Sequence, residues 1–306
     1  MTKTIFFLLA SVIAAPILCY FFAEPLSAEQ IVYLQGASYI LGAVILLSFI
    51  IAEITKNYSQ TDKLWSIVPI IYVWYISYQA GLTPRLILMS SLVTVWGLRL
   101  TYNFSRRGGY SWKFWTGEED YRWEILRSRP PFNGHSIKWS LFNFFFISFY
   151  QHVLIFLFSS PILVMTKNAD QPISSLEWVL AIVMILAVIY ETIADQQQWN
   201  FQTKKYELLN AGERLSEPYS KGFTHNGLWA LSRHPNYLAE QVIWVVFYLL
   251  SGAATGQWLN WSIIGCILLL ILFYNSSKFS EEISAQKYPE YADYQKSTPR
   301  FIPKIW

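Results

Sequence analysis

The chain is cut into long apolar runs, and their lengths restrict its fold more than any other feature. Thr4–Phe22, Ile31–Ile54, Leu64–Ala80, Leu86–Phe104, Trp139–Met165, Leu176–Gln197, Tyr237–Ser251 and Trp258–Asn275 are each predominantly apolar. About 20 apolar residues cross a bilayer as a helix. In lipid every backbone polar group must be satisfied within the segment, which leaves helices as the spanning form for runs of this length. With 54% hydrophobic, 18% aromatic and 14% charged residues, the composition fits a polytopic membrane protein and not a soluble domain. The first run follows Met-Thr-Lys and could serve as a signal-peptide core. It is long for that role, and more apolar runs follow, so it reads as a first span. The expectation is an all-α integral membrane protein, a bundle of about eight transmembrane helices.

Basic residues orient the bundle. Of the 23 Lys and Arg, only Arg85 and Lys167 fall in the loops of one side, and Arg99 lies within a span. All the rest gather on the other side, which predicts cytoplasmic N- and C-termini. Three polar segments, 105–137, 200–236 and 276–306, then face the cytosol. Cys19 and Cys266 both sit in apolar runs, so no disulfide framework is expected. Neither metal-type Cys/His spacing nor a Gly-rich phosphate loop is present, and no nucleic-acid module is visible. The expected partners are membrane lipid and a lipophilic small molecule, without metal or nucleic acid.

The densest polar constellation lies at the start of the seventh run, Gly227-Leu-Trp-Ala-Leu-Ser-Arg233-His234-Pro235-Asn236-Tyr237-Leu-Ala-Glu240. Pro235 suits a first helical turn, where its missing N–H costs nothing. Arg233 and His234 would then stand at the positive end of the helix, a place suited to phosphate. Asn236, Glu240 and Trp244 recur at i, i+4 and i+8 and share one face. A carboxylate at that depth needs a partner or a ligand. The plainer alternative is a basic anchor followed by a turn proline.

A second stripe closes the sixth run, where Glu191, Asp195, Gln198 and Gln202 fall on one helical face. Such a stripe faces a cavity, unless the helix has already left the membrane and the face is solvated. Carboxylates and amides there suit ribose hydroxyls and a carboxamide. Arg99 stands near the end of the fourth run and could snorkel. Glu53 and Asp62 flank the turn between the second and third runs, and Tyr121 follows three acids in the 105–137 loop. His152 reads as a helix–helix contact. In the tail, Tyr291 and Tyr294 are neighbours near Lys296 and Arg300, which suits an adenine ring and its phosphate, or a tail lying on anionic lipid.

Taken together, Trp96-Gly-Leu-Arg99, Glu119-Asp-Tyr-Arg122, Glu191-Thr-Ile-Ala-Asp195, the segment from Gly227 to Tyr237 and Phe301-Ile-Pro303 resemble the bacterial steroid 5-alpha-reductase-like membrane proteins, the DUF1295 group. The likeness runs in order over roughly residues 60–306. It implies a seven-helix reductase-like core plus an N-terminal helix in a bacterial inner membrane. It also implies NADPH-dependent reduction of a carbon–carbon double bond conjugated to a ketone, an oxidoreductase acting on CH–CH groups of a steroid-like or other lipophilic substrate. Within a single membrane domain over 1–306, residues 1–58 would be N-terminal helices, 59–175 a lipid-substrate half and 176–306 a cofactor-binding half with its tail. By that likeness Asp195, Asn236 and Glu240 contact the cofactor at its nicotinamide–ribose end, with Tyr237 and Trp199 beside them. Arg233, His234, Lys204 and Arg300 would meet its phosphates, and Tyr291 or Tyr294 its adenine. Tyr121, Glu53 and Asp62 are the candidates for the catalytic acid. The animal steroid enzymes differ at Arg233-His234, and Trp96 stands near the position of their substrate-polarising Tyr. A similar Arg-His-Pro-x-Tyr occurs in isoprenylcysteine and phospholipid methyltransferases, so a membrane methyltransferase using S-adenosylmethionine is the alternative. There Glu281-Glu282 and Tyr291 would join the same helix start. A lipid-binding or structural membrane protein is a third reading.

Overall fold

The computed structural model describes residues 24–303, together with Ala10, Ser11, Ala14 and Ile17, which are helical. The rest of the predicted first span, Thr4–Phe22, and Cys19 lie outside the described residues. Among the described residues there are helices and loops and no strand. Five helices are long and apolar enough to cross a membrane: Ala28–Thr55, Ser136–Asn168, Ser175–Asn210, Pro235–Thr255 and Ile263–Lys287. The described chain divides into two compact units. The first holds residues up to Ala181 together with Phe247–Leu268; the second holds Ile182–Val246 and Leu269–Trp306.

In the first unit, α1 (Ala28–Thr55) opens on a reciprocal cap. Ser27 accepts from the Gln30 backbone while the Gln30 side chain reaches back to Ser27 N–H. The expected third span, Leu64–Ala80, is instead two pieces, α2 (Gln60–Leu64) and α3 (Val68–Gln79). Polar residues from Ser59 to Lys63 fold back before the apolar stretch begins, which leaves α3 at 12 residues. It is joined to α4 (Pro84–Ser105) by Ser77–Ser90 and Trp74–Thr94 hydrogen bonds. Gly97 brings the pair close. A Cβ there would stand 2.5 Å from the Ser66 carbonyl, so any larger residue would push the helices apart.

The loop after α4 is fastened to the start of α2. Lys63 Nζ donates to the Phe114 and Thr116 carbonyls at 3.2 and 2.7 Å. Gln60 Nε2 donates to Trp115 O, and Asn57 Nδ2 to Gly117 O. Two short helices follow, α5 (Tyr121–Arg127) and α6 (Ser136–Phe142). The expected fifth span is then not one regular helix. From α6 it passes through a π-helical segment, Asn143–Tyr150, into α7 (Gln151–Ser159) and α8 (Pro161–Met165). Arg85 and Glu177 form a buried bidentate pair, with Nε–Oε1 at 2.7 Å and Nη2–Oε2 at 3.1 Å. The Arg85 guanidinium also donates to the Asn168 and Pro172 carbonyls.

The sixth span is longer than its apolar run. The helix α9 (Ser175–Asn210) continues 13 residues past Gln197, so the first part of the polar segment 200–236 is helical. Beyond it come a single turn, α10 (Leu228–Leu231), and the helices α11 (Pro235–Thr255), α12 (Ile263–Lys287) and α13 (Tyr291–Ser297). In the second unit, Trp229 Nε1 donates to Ala194 O at 3.0 Å. Gly227 turns the chain at φ +59°, and a Cβ there would meet the Gln197 amide at 2.7 Å. Glycine is the residue that fits both conditions.

Candidate functional site

The second unit gathers its polar groups into two clusters. In the first, Asn236 Nδ2 donates to Asp195 Oδ1 at 3.2 Å, joining α11 to α9. Asp195 is 3% exposed, and Glu191 and Glu240, each one helical turn from that contact on its own helix, are 4% and 3% exposed. The Glu240 carboxylate accepts from Trp244 Nε1 at 3.1 Å. The Glu191 and Asp195 stripe therefore faces protein and not solvent. Its continuation at Gln198 and Gln202 is half-buried. The amide oxygen of Asn236 is buried and accepts no hydrogen bond in the structure. A buried acceptor left open in this way is costly, and each such group calls for an explanation.

The second cluster centres on Glu281, 2% exposed. Its carboxylate accepts from Arg233 Nε at 2.8 Å and Nη2 at 3.2 Å, from His234 Nε2 at 3.0 Å and from Arg300 Nη2 at 2.9 Å. Arg300 Nε at 3.4 Å and Gln295 Nε2 at 3.1 Å add to these. Arg233 Nη1 is engaged as well, by the carbonyls of Gln295 and Thr298. Backbone completes the knot: Arg233 N–H donates to Pro299 O and His234 N–H to Arg300 O. Burial holds His234 below its ordinary pKa although Glu281 pulls the other way. One carboxylate against two guanidiniums leaves the cluster with a net positive charge.

The structure places Arg233, His234 and Arg300, the residues expected to meet phosphates, together around a protein carboxylate. Lys204 stands apart, exposed and paired with Glu207 at 3.3 Å. Its neighbour Lys205 is the buried one, donating to Gly222 O at 2.9 Å. Tyr291 and Tyr294 are buried against Phe223, at centroid distances of 5.0 and 5.2 Å. The Tyr294 hydroxyl donates to Trp229 O. In this structure their rings form an aromatic core and not an open face. The Tyr237 ring stacks on His234 at 5.3 Å, and Trp199 is half-buried.

The three candidate acids lie in the first unit. Glu53 accepts from Ser140 Oγ at 2.9 Å and Asn143 Nδ2 at 2.8 Å. Asp62 accepts from Trp123 Nε1 at 2.8 Å, and burial together with the nearby Asp120 raises its carboxyl above the ordinary range. Tyr121 is 55% exposed at the start of α5. Among the described residues no group of three His, Cys, Asp or Glu could hold a metal ion. The role of Glu281 was legible only in part. The Glu281-Glu282 pair is visible in the polar tail, but the partners of Glu281 lie 14 to 48 positions away.

Comparison with known proteins yields one family. The family described as "Protein of unknown function (DUF1295)" matches residues 48–298. A relative described as an uncharacterized protein of Schizosaccharomyces pombe is 35% identical over 289 residues, which is 85% of this chain and 79% of the relative. No solved structure matches the chain.

Proposed function

Because the chain belongs to the DUF1295 family, we propose that it is a membrane reductase using NADPH on a carbon–carbon double bond conjugated to a ketone in a lipophilic molecule. The observation that carries the reading is the open, buried amide oxygen of Asn236 beside Asp195. It offers an acceptor to the N–H of a carboxamide, and the buried carboxylates of Asp195 and Glu240 offer acceptors to ribose hydroxyls. The net positive Glu281 cluster attracts phosphate, with Arg300 its most exposed member. NADPH, when bound, supplies the hydride. The protein holds the ring, excludes water and positions charge. Among the candidates Tyr121, Glu53 and Asp62, Asp62 is the carboxyl that burial and the nearby Asp120 raise above its ordinary range, the direction a carboxyl proton donor needs.

Purified protein in lipid nanodiscs provides the test. NADPH raises the unfolding temperature with concentration, corresponding to about 2.7 kcal/mol at 100 times Kd. Asn236→Leu lowers the ligand-free unfolding temperature, because it also removes the donor to buried Asp195, and binds NADPH about 3- to 10-fold more weakly, the range for one lost neutral hydrogen bond. Wild-type affinity in that variant removes Asn236 from the site. Stabilisation by S-adenosylmethionine with none from NADPH replaces the reductase with the methyltransferase.

A further inference from the structure

The first unit contains a second open polar atom, on His152. This side chain is fully buried at the start of α7. Its Nε2 lies 2.8 Å from Ser48 Oγ on α1 and 3.5 Å from Thr61 Oγ1 on α2. Its Nδ1 is buried and has no hydrogen-bond partner. The Thr61 hydroxyl already donates to Ile147 O at 3.0 Å. Among the described residues Ser48 Oγ makes no hydrogen bond other than that to His152.

Proton placement follows from these contacts. If Nε2 carried the proton, the Ser48 hydroxyl hydrogen would have no acceptor and Nδ1 would be an empty acceptor, two failures at once. With the proton on Nδ1, the Ser48 hydroxyl donates to Nε2, Thr61 donates to Ile147 O, and one group is left over. Neutral imidazole has one donor and one acceptor nitrogen, so that group is an Nδ1–H donor without an acceptor. Its surroundings repeat the pattern. The hydroxyls of Tyr72, Ser148 and Tyr150 are also buried without partners. Tyr72 meets Phe156 edge-on at 5.1 Å, and Phe156 lies one turn after His152 on the same face of α7. The π-helical segment Asn143–Tyr150 ends immediately before this helix, and such segments occur frequently at functional sites.

We propose that His152 Nδ1–H, with the unpartnered Tyr72 hydroxyl as a second donor, is the binding site for the carbonyl oxygen of a lipophilic molecule within the first unit. A carbonyl oxygen has two lone pairs and no proton, which matches surplus donors in an apolar bundle. The site uses no residue of the second unit and stands whether or not the bound molecule is reduced, so NADPH binding at Asn236 is read separately from it.

The full chain in nanodiscs is titrated with a long-chain methyl ketone carrying carbon-13 at its carbonyl, and with the alkane of equal length. The expected result is a saturable population whose carbonyl infrared band lies below that of the ketone in empty nanodiscs. Tyr72→Phe weakens that population several-fold, and His152→Phe weakens it at least tenfold. Only the empty-nanodisc band, or an unchanged population in His152→Phe, overturns the proposal. Should His152→Phe not fold, nitrogen-15 spectra of wild-type imidazoles decide. A protonated Nδ1 signal that moves with the ketone and not the alkane supports the site, and a signal that ignores the ketone overturns it.

Discussion

Lys63 shows how much one buried amine can impose. It is fully buried, with its ammonium on two carbonyls of the 105–117 loop. Burial pulls its pKa from the ordinary 10.5 down to about 8. Between those values the unfolded chain holds a proton that the folded chain has released, so stability rises with pH across that window. Below it the folded protein bears the full cost of the buried charge. Lys63→Met is expected to flatten the rise, worth at most about 3 kcal/mol, and thermal unfolding from pH 7 to 10.5 measures it. The site residues were unevenly visible at this scale. Asp195, Asn236 and Glu240 stood out because polar residues at helical spacing inside apolar runs have few innocent explanations. The burial of Lys205 in place of Lys204 could not be read, since adjacent lysines are distinguished only by which side of α9 meets Gly222.

At the scale of elements, long-range ion pairs fix what the helices cannot fix alone. Glu281→Gln leaves the buried Arg233 without its counter-charge. Breaking such a pair costs about 3–5 kcal/mol, so the variant is expected to unfold earlier on heating and to expose residues 288–303 to protease. Arg85 and Glu177 offer the same test in the first unit. Arg85→Met alone is expected to lose a similar amount, while Arg85→Met with Glu177→Leu recovers most of it, because an apolar pair no longer buries a lone charge. The sequence located the helices because apolar runs report burial in lipid directly. It misjudged where α9 ends and where the third run breaks, because a helix can outlast its apolar run when its polar face lies on protein. The π-helical stretch leaves no mark in composition: Asn-Phe-Phe-Phe-Ile-Ser-Phe-Tyr reads as ordinary apolar helix.

For the whole molecule, the distribution of Lys and Arg predicts which side of the membrane each loop occupies. In a variant without Cys19 and Cys266, Trp112→Cys is expected to react with an impermeant thiol reagent from the cytoplasmic side only. Lys167→Cys is expected to react from the opposite side only. Labelling of both from one side would discard the orientation. Trp112 is fully exposed and suits such labelling. The binding of Arg233 and His234 backbone N–H groups to the carbonyls of Pro299 and Arg300 carries a further consequence for biogenesis. The groups that open α11 must wait for a partner synthesised more than 60 residues later. A ribosome will therefore have delivered every spanning segment seen here before that helix start can lock, and emergence of residues 299–300, more than insertion of the last helix, becomes the event that completes the second unit.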